Sequence, residues 1–155
     1  MGRSEELASK FEQTNQQFIK AVEGCSDERW RSAASNEDQR SVGTVAHHVA
    51  TSHMQIVGIA QAVGAGGQAP PLSMEMIDQG NAQHASQNPN PARDEVLTLL
   101  KEDGHKAAGI IRSMSDDQLS KTLKLPVSDD PITTAQMIEM IGIGHPAGHM
   151  ESISS

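Results

Sequence analysis

The stretch SVGTVAHHVATSHMQIVGIAQAV at residues 41–63 decides the fold class. Its apolar residues recur mostly at steps of three and four, which is the spacing of one face of an α-helix. Ser41 precedes the first of them and is a typical helix N-cap. The stretch is followed by residues 64–71, GAGGQAPP, whose glycines and prolines prevent the helix from continuing. The stripe consists of Val42, Val45, Val49, Ile56, Ile59 and Val63.

Three further stretches show the same helical spacing, and they cover residues 4–24, 91–114 and 133–152. No stretch alternates between apolar and polar residues as a strand or a hairpin would. We therefore predict an all-α protein, a four-helix bundle that forms a single domain over residues 1–155. Short extra helical segments are predicted in the loops, at residues 26–30, 73–86 and 116–121.

Local signals refine this prediction. Trp30 is expected to close one end of the core. Pro91 suits the first turn of the third long helix, where a missing backbone N–H costs little. Thr133 or Thr134 is expected to cap the last helix.

The composition excludes several classes of function. The chain has 155 residues, a net charge of −8, 2% aromatic residues and no Tyr. It therefore lacks both the positive surface and the stacking rings that nucleic-acid binding requires. No run approaches the roughly 18 apolar residues of a membrane helix, and the first residues have no apolar signal-peptide core. We therefore expect a protein without nucleic-acid or membrane partners. A cytoplasmic location is expected as well, and the single Cys25, which cannot form an internal disulfide, agrees with it.

Two histidines share one face of the last predicted helix. His145 and His149 are four residues apart, which places their imidazoles about one turn from each other. Ile138, Ile141 and Ser152 continue the same face in steps of three and four. We expect both rings to face the bundle interior, where they would be close enough to share a metal ion.

A third histidine is expected from the helix at residues 41–63. His48 lies three residues after Val45 and is predicted to point inward, whereas His47 is rotated by about 100° toward the flank of the bundle. We favour His48 as the ligand, with His47 as the alternative. Three neutral imidazoles would leave a divalent metal ion at least one open position, as in catalytic sites.

The residues around the last two histidines are poor helix formers. Residues 142–149, GIGHPAGH, contain three glycines and one proline. Each glycine costs about 1 kcal/mol relative to alanine inside a helix. A metal bond between two helices, or a close approach of a neighbouring helix at the glycines, would offset that cost. Pro146 also predicts a bend of the helix at His145.

The other histidines are predicted to have structural or surface roles. His53 is five residues after His48 and lies off the inward face. His84 and His105 lie in polar stretches and are expected to be solvated. The sequence offers no evident Arg or Tyr for recognising a substrate at the mouth of the site.

Three motifs follow one another along the chain, SDERW at residues 26–30, SVGTVAHHVA at 41–50 and GHPAGH at 144–149. In this order they resemble the DinB-like metal-binding proteins, a superfamily that also includes YfiT-type hydrolases and thiol-dependent transferases. The resemblance spans nearly the whole chain. It implies a four-helix bundle, often a homodimer, whose three-histidine site holds a divalent metal ion, commonly zinc or nickel. Matched by motif, the ligands are His48, His145 and His149.

Three functions are compatible with these observations. The first is a metal-dependent enzyme in which the open position binds water or a low-molecular-weight thiol, giving a hydrolase or a thiol-dependent transferase of a small-molecule substrate. The second is a non-catalytic metal-binding or stress-related bundle protein. The third is a purely structural bundle whose histidines are packed in neutral form.

Overall fold

A computed structural model of the protein describes residues 2–37, 39–126 and 128–154. Within these residues the chain is predominantly helical, as the sequence predicts. The α-helices are α1 (Arg3–Glu23), α2 (Asp27–Arg31), α3 (Val42–Gly64), α4 (Met74–Gln87), α5 (Arg93–Arg112), α6 (Asp116–Ser120), α7 (Thr134–Met137) and α8 (His145–Ser154), and a π-helical segment (Ile138–Gly144) joins α7 to α8.

The four long helices of the predicted bundle are α1, α3, α5 and a continuous C-terminal helix built from α7, the π-helical segment and α8. Helix α5 packs against both α1 and α3, and the C-terminal helix also contacts both. The four helices therefore enclose a shared interior. The prediction of an all-α four-helix bundle is confirmed.

The interior is filled by the apolar stripes. Phe11 and Phe18 on α1 are 2% and 0% exposed, and Leu100 and Ile111 on α5 are fully buried. Burying such a side chain contributes roughly 1.5–3 kcal/mol. The stripe of α3 is buried as well, except for Ile59, which is only partly covered.

Trp30 closes one end of the core, as predicted. Its side chain is 7% exposed, and its indole N–H donates a hydrogen bond to the Pro91 carbonyl at 2.8 Å. The ring lies so close to α3 that a Cβ added at Gly43 would be 2.7 Å from the Trp30 Cε2 atom. Glycine at this position allows the indole to pack on the helix backbone.

The helix starts follow the sequence signals with one exception. Ser41 Oγ accepts a hydrogen bond from Thr44 N at 3.0 Å, and Thr133 is the cap of α7. Pro91, however, lies before α5 and not in its first turn, because Ala92 is the N-cap and the helix begins at Arg93. The Pro91 carbonyl is instead the acceptor for the indole N–H of Trp30.

A short pair of strands corrects the prediction that the chain has none. Strand β1 (Thr122–Leu123) pairs antiparallel with β2 (Ile132–Thr133). Each strand has two residues, which is too short to produce a recognisable alternation in the sequence. The pair is continued by a hydrogen bond from Thr134 N to the Lys121 carbonyl at 2.7 Å, which ties the start of the C-terminal helix to the end of α6.

Helix α4 lies at the edge of the bundle. Among its described residues none is buried, and Met74 and Met76 are about half exposed. Asn88 follows the helix and attaches it to α3, because the Asn88 carbonyl accepts a hydrogen bond from Thr44 Oγ1 at 2.7 Å. Neither α4 nor any other helix of the described residues has the length and apolar character needed to cross a membrane.

A buried polar network connects α1, α3 and α5. Asn15, 7% exposed, donates from Nδ2 to the Leu100 carbonyl at 2.8 Å, so its Oδ1 accepts the hydrogen bond from His53 Nε2 at 3.0 Å. Gly104 faces the amide group of Asn15, and a Cβ added there would lie 2.1 Å from Nδ2. Glycine at position 104 therefore makes room for this network.

We expect Gly104→Ala to lower the free energy of unfolding by about 2–4 kcal/mol, because the new methyl group would displace Asn15 from its hydrogen bonds. Gly109→Ala, in the same helix, is the matched control. Since none of the described atoms lies within 4 Å of a Cβ added there, this change should stabilise the protein by up to about 1 kcal/mol. Urea unfolding measures both variants, and equal effects would contradict the role of the network.

The His53 imidazole in this network is kept neutral. Its Nε2–H donates to Asn15, which leaves Nδ1 as a buried nitrogen without a hydrogen-bond partner among the described residues. Burial lowers the pKa of His53 to about 4. Between pH 6.5 and 4 the unfolded chain therefore takes up a proton that the folded chain does not, and stability decreases as the pH falls.

We expect His53 alone to reduce the free energy of unfolding by about 2 kcal/mol between about pH 7.5 and pH 5. His53→Gln retains a hydrogen-bond donor but cannot titrate, so its stability should depend less steeply on pH. Urea unfolding at several pH values gives the two slopes. Parallel slopes for the wild type and the variant would be inconsistent with a neutral, buried His53.

Candidate metal centre

His48 is presented by the N-terminal half of α3, whose start is fixed by the Ser41 cap. The imidazole is partly buried and faces the C-terminal helix. The centre of its ring lies 5.5 Å from the ring centres of both His145 and His149. The inward direction predicted for His48 is therefore the one that the structure has.

The C-terminal helix changes its hydrogen-bonding pattern just before His145. Over Ile138–Gly144 it widens into a π-helix, and the His145 N–H donates to the Met140 carbonyl, five residues earlier. In a regular α-helix the ring of Pro146 would press against the carbonyl of Gly142. The π-helical segment ends at Gly144, just before this proline. His145 itself keeps helical backbone angles, φ −65° and ψ −49°, so the helix is not interrupted there, and the expected bend stays a prediction.

The glycines of this segment are not explained by a close approach of another helix. A Cβ added at Gly142 would lie 3.7 Å from its nearest described neighbour, which is ordinary contact, and one added at Gly148 would have none of the described atoms within 4 Å. Single π-helical turns occur frequently at functional sites. Of the two explanations offered by the sequence, only the metal bond remains, and it stays a prediction.

The structure brings the three predicted ligands together. His48, His145 and His149 each offer a ring nitrogen within 4.8 Å of the other two, and the Nε2 atoms of His145 and His149 are 2.8 Å apart. Nitrogens around a tetrahedral zinc ion lie about 3.4 Å from each other, so small side-chain rotations would give that geometry. His149 is buried and His145 is exposed, which leaves one side of the cluster open to solvent.

Glu37 supports the cluster from behind. Its Oε1 accepts a hydrogen bond from His149 Nδ1 at 2.6 Å, so Nε2 is the nitrogen of His149 that remains free to bind a metal. Burial opposes ionisation of Glu37. Hydrogen bonds from His149 and Ser152, together with the positive charge of Arg40, outweigh this effect and hold the pKa of Glu37 below its usual value.

The loop that carries Glu37 folds back on itself. Ala33 and Ser41 form an isolated antiparallel bridge, and between them Asn36 and Gln39 adopt left-handed backbone angles, with φ values of 58° and 65°. Such angles are uncommon for residues other than glycine and indicate a specifically folded loop. This loop conformation directs Glu37 toward α8.

The cluster favours neutral rings. Burial, followed by the proximity of the other two imidazoles, lowers the pKa of His48 to about 3. His145 is exposed as a whole residue, but the protein atoms around its ring partly desolvate it, and this effect, followed by the neighbouring His149, lowers its pKa to about 4. Because histidine binds a metal in its neutral form, both rings are ready to act as ligands at neutral pH.

His47 and His84 form a separate pair beside the cluster. The Nδ1 atom of His47 lies 2.8 Å from Nε2 of His84, and the His84 ring also contacts that of His48 at a centre distance of 5.6 Å. The alternative ligand His47 is thus outside the three-histidine cluster. The expectation that His84 is solvated is wrong, since its Nδ1 is buried without a hydrogen-bond partner among the described residues. His105 is exposed, as expected.

Sequence reasoning missed Glu37 and Arg40. Both lie in the polar stretch SNEDQR at residues 35–40, which has no periodicity and matches no metal-binding spacing. Arg40 Nη2 donates to Glu37 Oε2 at 2.6 Å, and the Arg40 side chain is 16% exposed. The expectation that no Arg is available near the site is therefore wrong. Glu37 lies close to the histidines only in the folded chain, so no pattern in the sequence could have identified it.

The family model of the DinB superfamily matches residues 10–153 of this chain. The chain belongs to the DinB superfamily. This confirms the family indicated by the three sequence motifs. No curated protein sequence shows significant similarity to this DinB-superfamily chain.

Two solved structures share the fold of this DinB-superfamily chain. YfiT from Bacillus subtilis, described as a probable metal-dependent hydrolase with an unusual four-helix bundle topology, has a TM-score of 0.75 and 18% identity, over 97% of this chain and 83% of YfiT. The mycothiol-dependent maleylpyruvate isomerase has a TM-score of 0.76 and 13% identity, over 98% of this chain and 61% of the isomerase. At these identities the similarity establishes the bundle fold alone.

We expect Glu37→Gln to weaken divalent-metal binding by about 10- to 100-fold, because the uncharged amide holds the His149 ring less firmly and makes it less basic. Glu12→Gln is the matched control, since Glu12 is an exposed partner of Arg112 on α1. Competition titration with a metal indicator gives both affinities. An unchanged affinity in Glu37→Gln would show that the carboxylate does not support a metal ligand.

Proposed function

We propose that this DinB-superfamily protein is a metal-dependent enzyme that binds one divalent ion through His48, His145 and His149 and acts on a small-molecule substrate. The reaction is a hydrolysis or a transfer that depends on a low-molecular-weight thiol. The observation that carries the proposal is the convergence of three imidazole nitrogens within 4.8 Å, with one side open to solvent. Three histidine ligands and an open position are typical of catalytic metal sites.

The chain's own residues prepare this site in two ways. Glu37 fixes the tautomer of His149, so that its Nε2 faces the other two ring nitrogens. The lowered pKa values of His48 and His145, about 3 and 4, keep these rings unprotonated at neutral pH. When bound, the metal would lower the pKa of a water or thiol at the open position and so supply a nucleophile near neutral pH.

The structural neighbours support the two reaction classes separately. YfiT is described as a probable metal-dependent hydrolase, whereas the isomerase is described as mycothiol-dependent. We propose both classes for this chain, because an activated water and an activated thiol require the same open position on the metal.

A non-catalytic metal-binding protein is the second candidate. It is supported by the position of the three histidines, which belong to two helices far apart in the sequence. A metal ion shared by α3 and α8 would cross-link the bundle whether or not it takes part in a reaction.

We expect zinc or nickel to raise the melting temperature by roughly 5–10 °C when the free metal is about 100-fold above its Kd. His48→Ala, His145→Ala and His149→Ala should each abolish this shift, because each removes one ligand. The exposed His105→Ala is the control and should retain it. Elemental analysis and thermal melts, each before and after chelation, measure the effect.

Two outcomes would change the assignment. If His47→Ala removes the metal-dependent shift and His48→Ala does not, His47 is the ligand on α3. If chelation changes neither the melting temperature nor the bound metal, the protein is a structural bundle without a metal site.

The two candidate functions differ in turnover. The metal-loaded protein is incubated with small electrophiles and common bacterial thiols, and with activated esters in the absence of thiol. Product formation that is lost in His145→Ala supports the enzyme. Metal-dependent stabilisation without product formation supports the binding protein.

Zinc or nickel as the physiological metal, a homodimeric assembly, a cytoplasmic location and a single domain over residues 1–155 are further parts of this proposal. Zinc and nickel are the metals that the sequence resemblance implies, and imidazole ligands suit both ions. The dimer and the location follow from the sequence resemblance and from the composition, respectively.

A further inference from the structure

Arg40 has an unused hydrogen-bonding group next to the histidine cluster. Its Nε donates to the Glu37 carbonyl at 3.2 Å and its Nη2 to Glu37 Oε2 at 2.6 Å. Its Nη1 is buried and has no hydrogen-bond partner among the described residues. A buried guanidinium N–H group without an acceptor is unfavourable, so an acceptor supplied by a ligand would be bound there with a net gain.

The position of Arg40 relates this group to the proposed metal. Glu37 lies between Arg40 and His149, with hydrogen bonds of 2.6 Å on either side. The guanidinium is therefore linked to the His149 ring through one shared carboxylate.

The chemistry of this group favours a carboxylate. The protein has a net charge of −8, so its surface as a whole does not attract anions, and binding of one requires a specific cation. Nη1 can donate a charge-assisted hydrogen bond to one oxygen of a carboxylate, an acceptor that arginine commonly binds. The adjacent Glu37 carboxylate repels any anion, and it repels a phosphate dianion more strongly than a carboxylate, which carries a single negative charge.

We propose that Arg40 is the residue that recognises the substrate, by binding a carboxylate group through Nη1. The inference rests on the proposed function, since it places this carboxylate next to the atom that reacts at the metal. It names the substrate class as small molecules, or thiol adducts, that carry a carboxylate near the reacting group.

The test compares two thiols that differ only in this group. The cobalt-substituted protein is titrated with 3-mercaptopropionate and with the uncharged 3-mercaptopropionamide, and the thiolate-to-cobalt absorption band reports binding. In the wild type the acid should bind more tightly than the amide. Arg40→Gln should reduce this preference by about 10- to 100-fold, the range expected for one charged hydrogen-bonding pair.

The ratio of the affinities for the acid and the amide shows whether Arg40 recognises the carboxylate or only positions Glu37. If Arg40 only holds Glu37 in place, Arg40→Gln weakens cobalt binding and both thiols equally, and the unchanged ratio overturns the proposal. Arg112→Gln is the matched control, because it removes the same charge from a residue that pairs with Glu5 and Glu12. Arg40→Lys, which retains the charge without the planar group, should show a smaller loss and serves if Arg40→Gln does not fold.

The experiment also distinguishes this inference from the proposed function. If the protein binds no cobalt, the proposed metal site fails, and 3-mercaptopropionate is then tested on the metal-free protein by thermal shift. Stabilisation that requires Arg40 would still support carboxylate recognition. Stabilisation that is equal in the wild type and Arg40→Gln, or absent in both, would overturn it.

Discussion

The hydrogen bond between Glu37 and His149 is the contact on which the arrangement of the site depends. It joins the loop at residues 33–41 to α8, two parts of the chain that are more than one hundred residues apart in sequence. The distance from His149 Nδ1 to Glu37 Oε1 is 2.6 Å. On one side it fixes the His149 ring, and on the other side Glu37 holds the guanidinium of Arg40. A buried carboxylate is stable only when such partners surround it. The loop, His149 and Arg40 are therefore parts of one polar network.

The sequence was sufficient for the bundle because the information is local and repeated. The valines of α3 recur at helical steps, and a helix that must bury one face against three others needs little more. The π-helical segment at Ile138–Gly144 could not be predicted in the same way. The steps from Ile138 to His149 are those of an ordinary α-helix, so they give no sign of the register change. The two-residue strands are likewise set by tertiary contacts.

The residues of the site that lie on regular helices could be predicted from the sequence, and those on the loop could not. His145 and His149 are one turn apart, and the inward direction of His48 follows from its place in the stripe of α3. Glu37 and Arg40 lie on an irregular loop whose course depends on left-handed angles at Asn36 and Gln39. No periodicity predicts where such a loop places its side chains. Sequence analysis therefore identified the candidate ligands and missed the residues that surround them.

The loose attachment of α4 has a consequence for the accessibility of the cluster. None of its described side chains is buried, and it is attached through the His47–His84 pair and through Asn88. Little buried apolar surface becomes exposed when such a helix detaches. The free energy of this local opening is therefore well below that of global unfolding, and the amide protons of α4 exchange with solvent through it. Each opening withdraws His84 from the ring of His48. Access of a dissolved molecule to this side of the cluster therefore depends on the equilibrium between the attached and the detached state of α4. The four-helix core stays intact in both states.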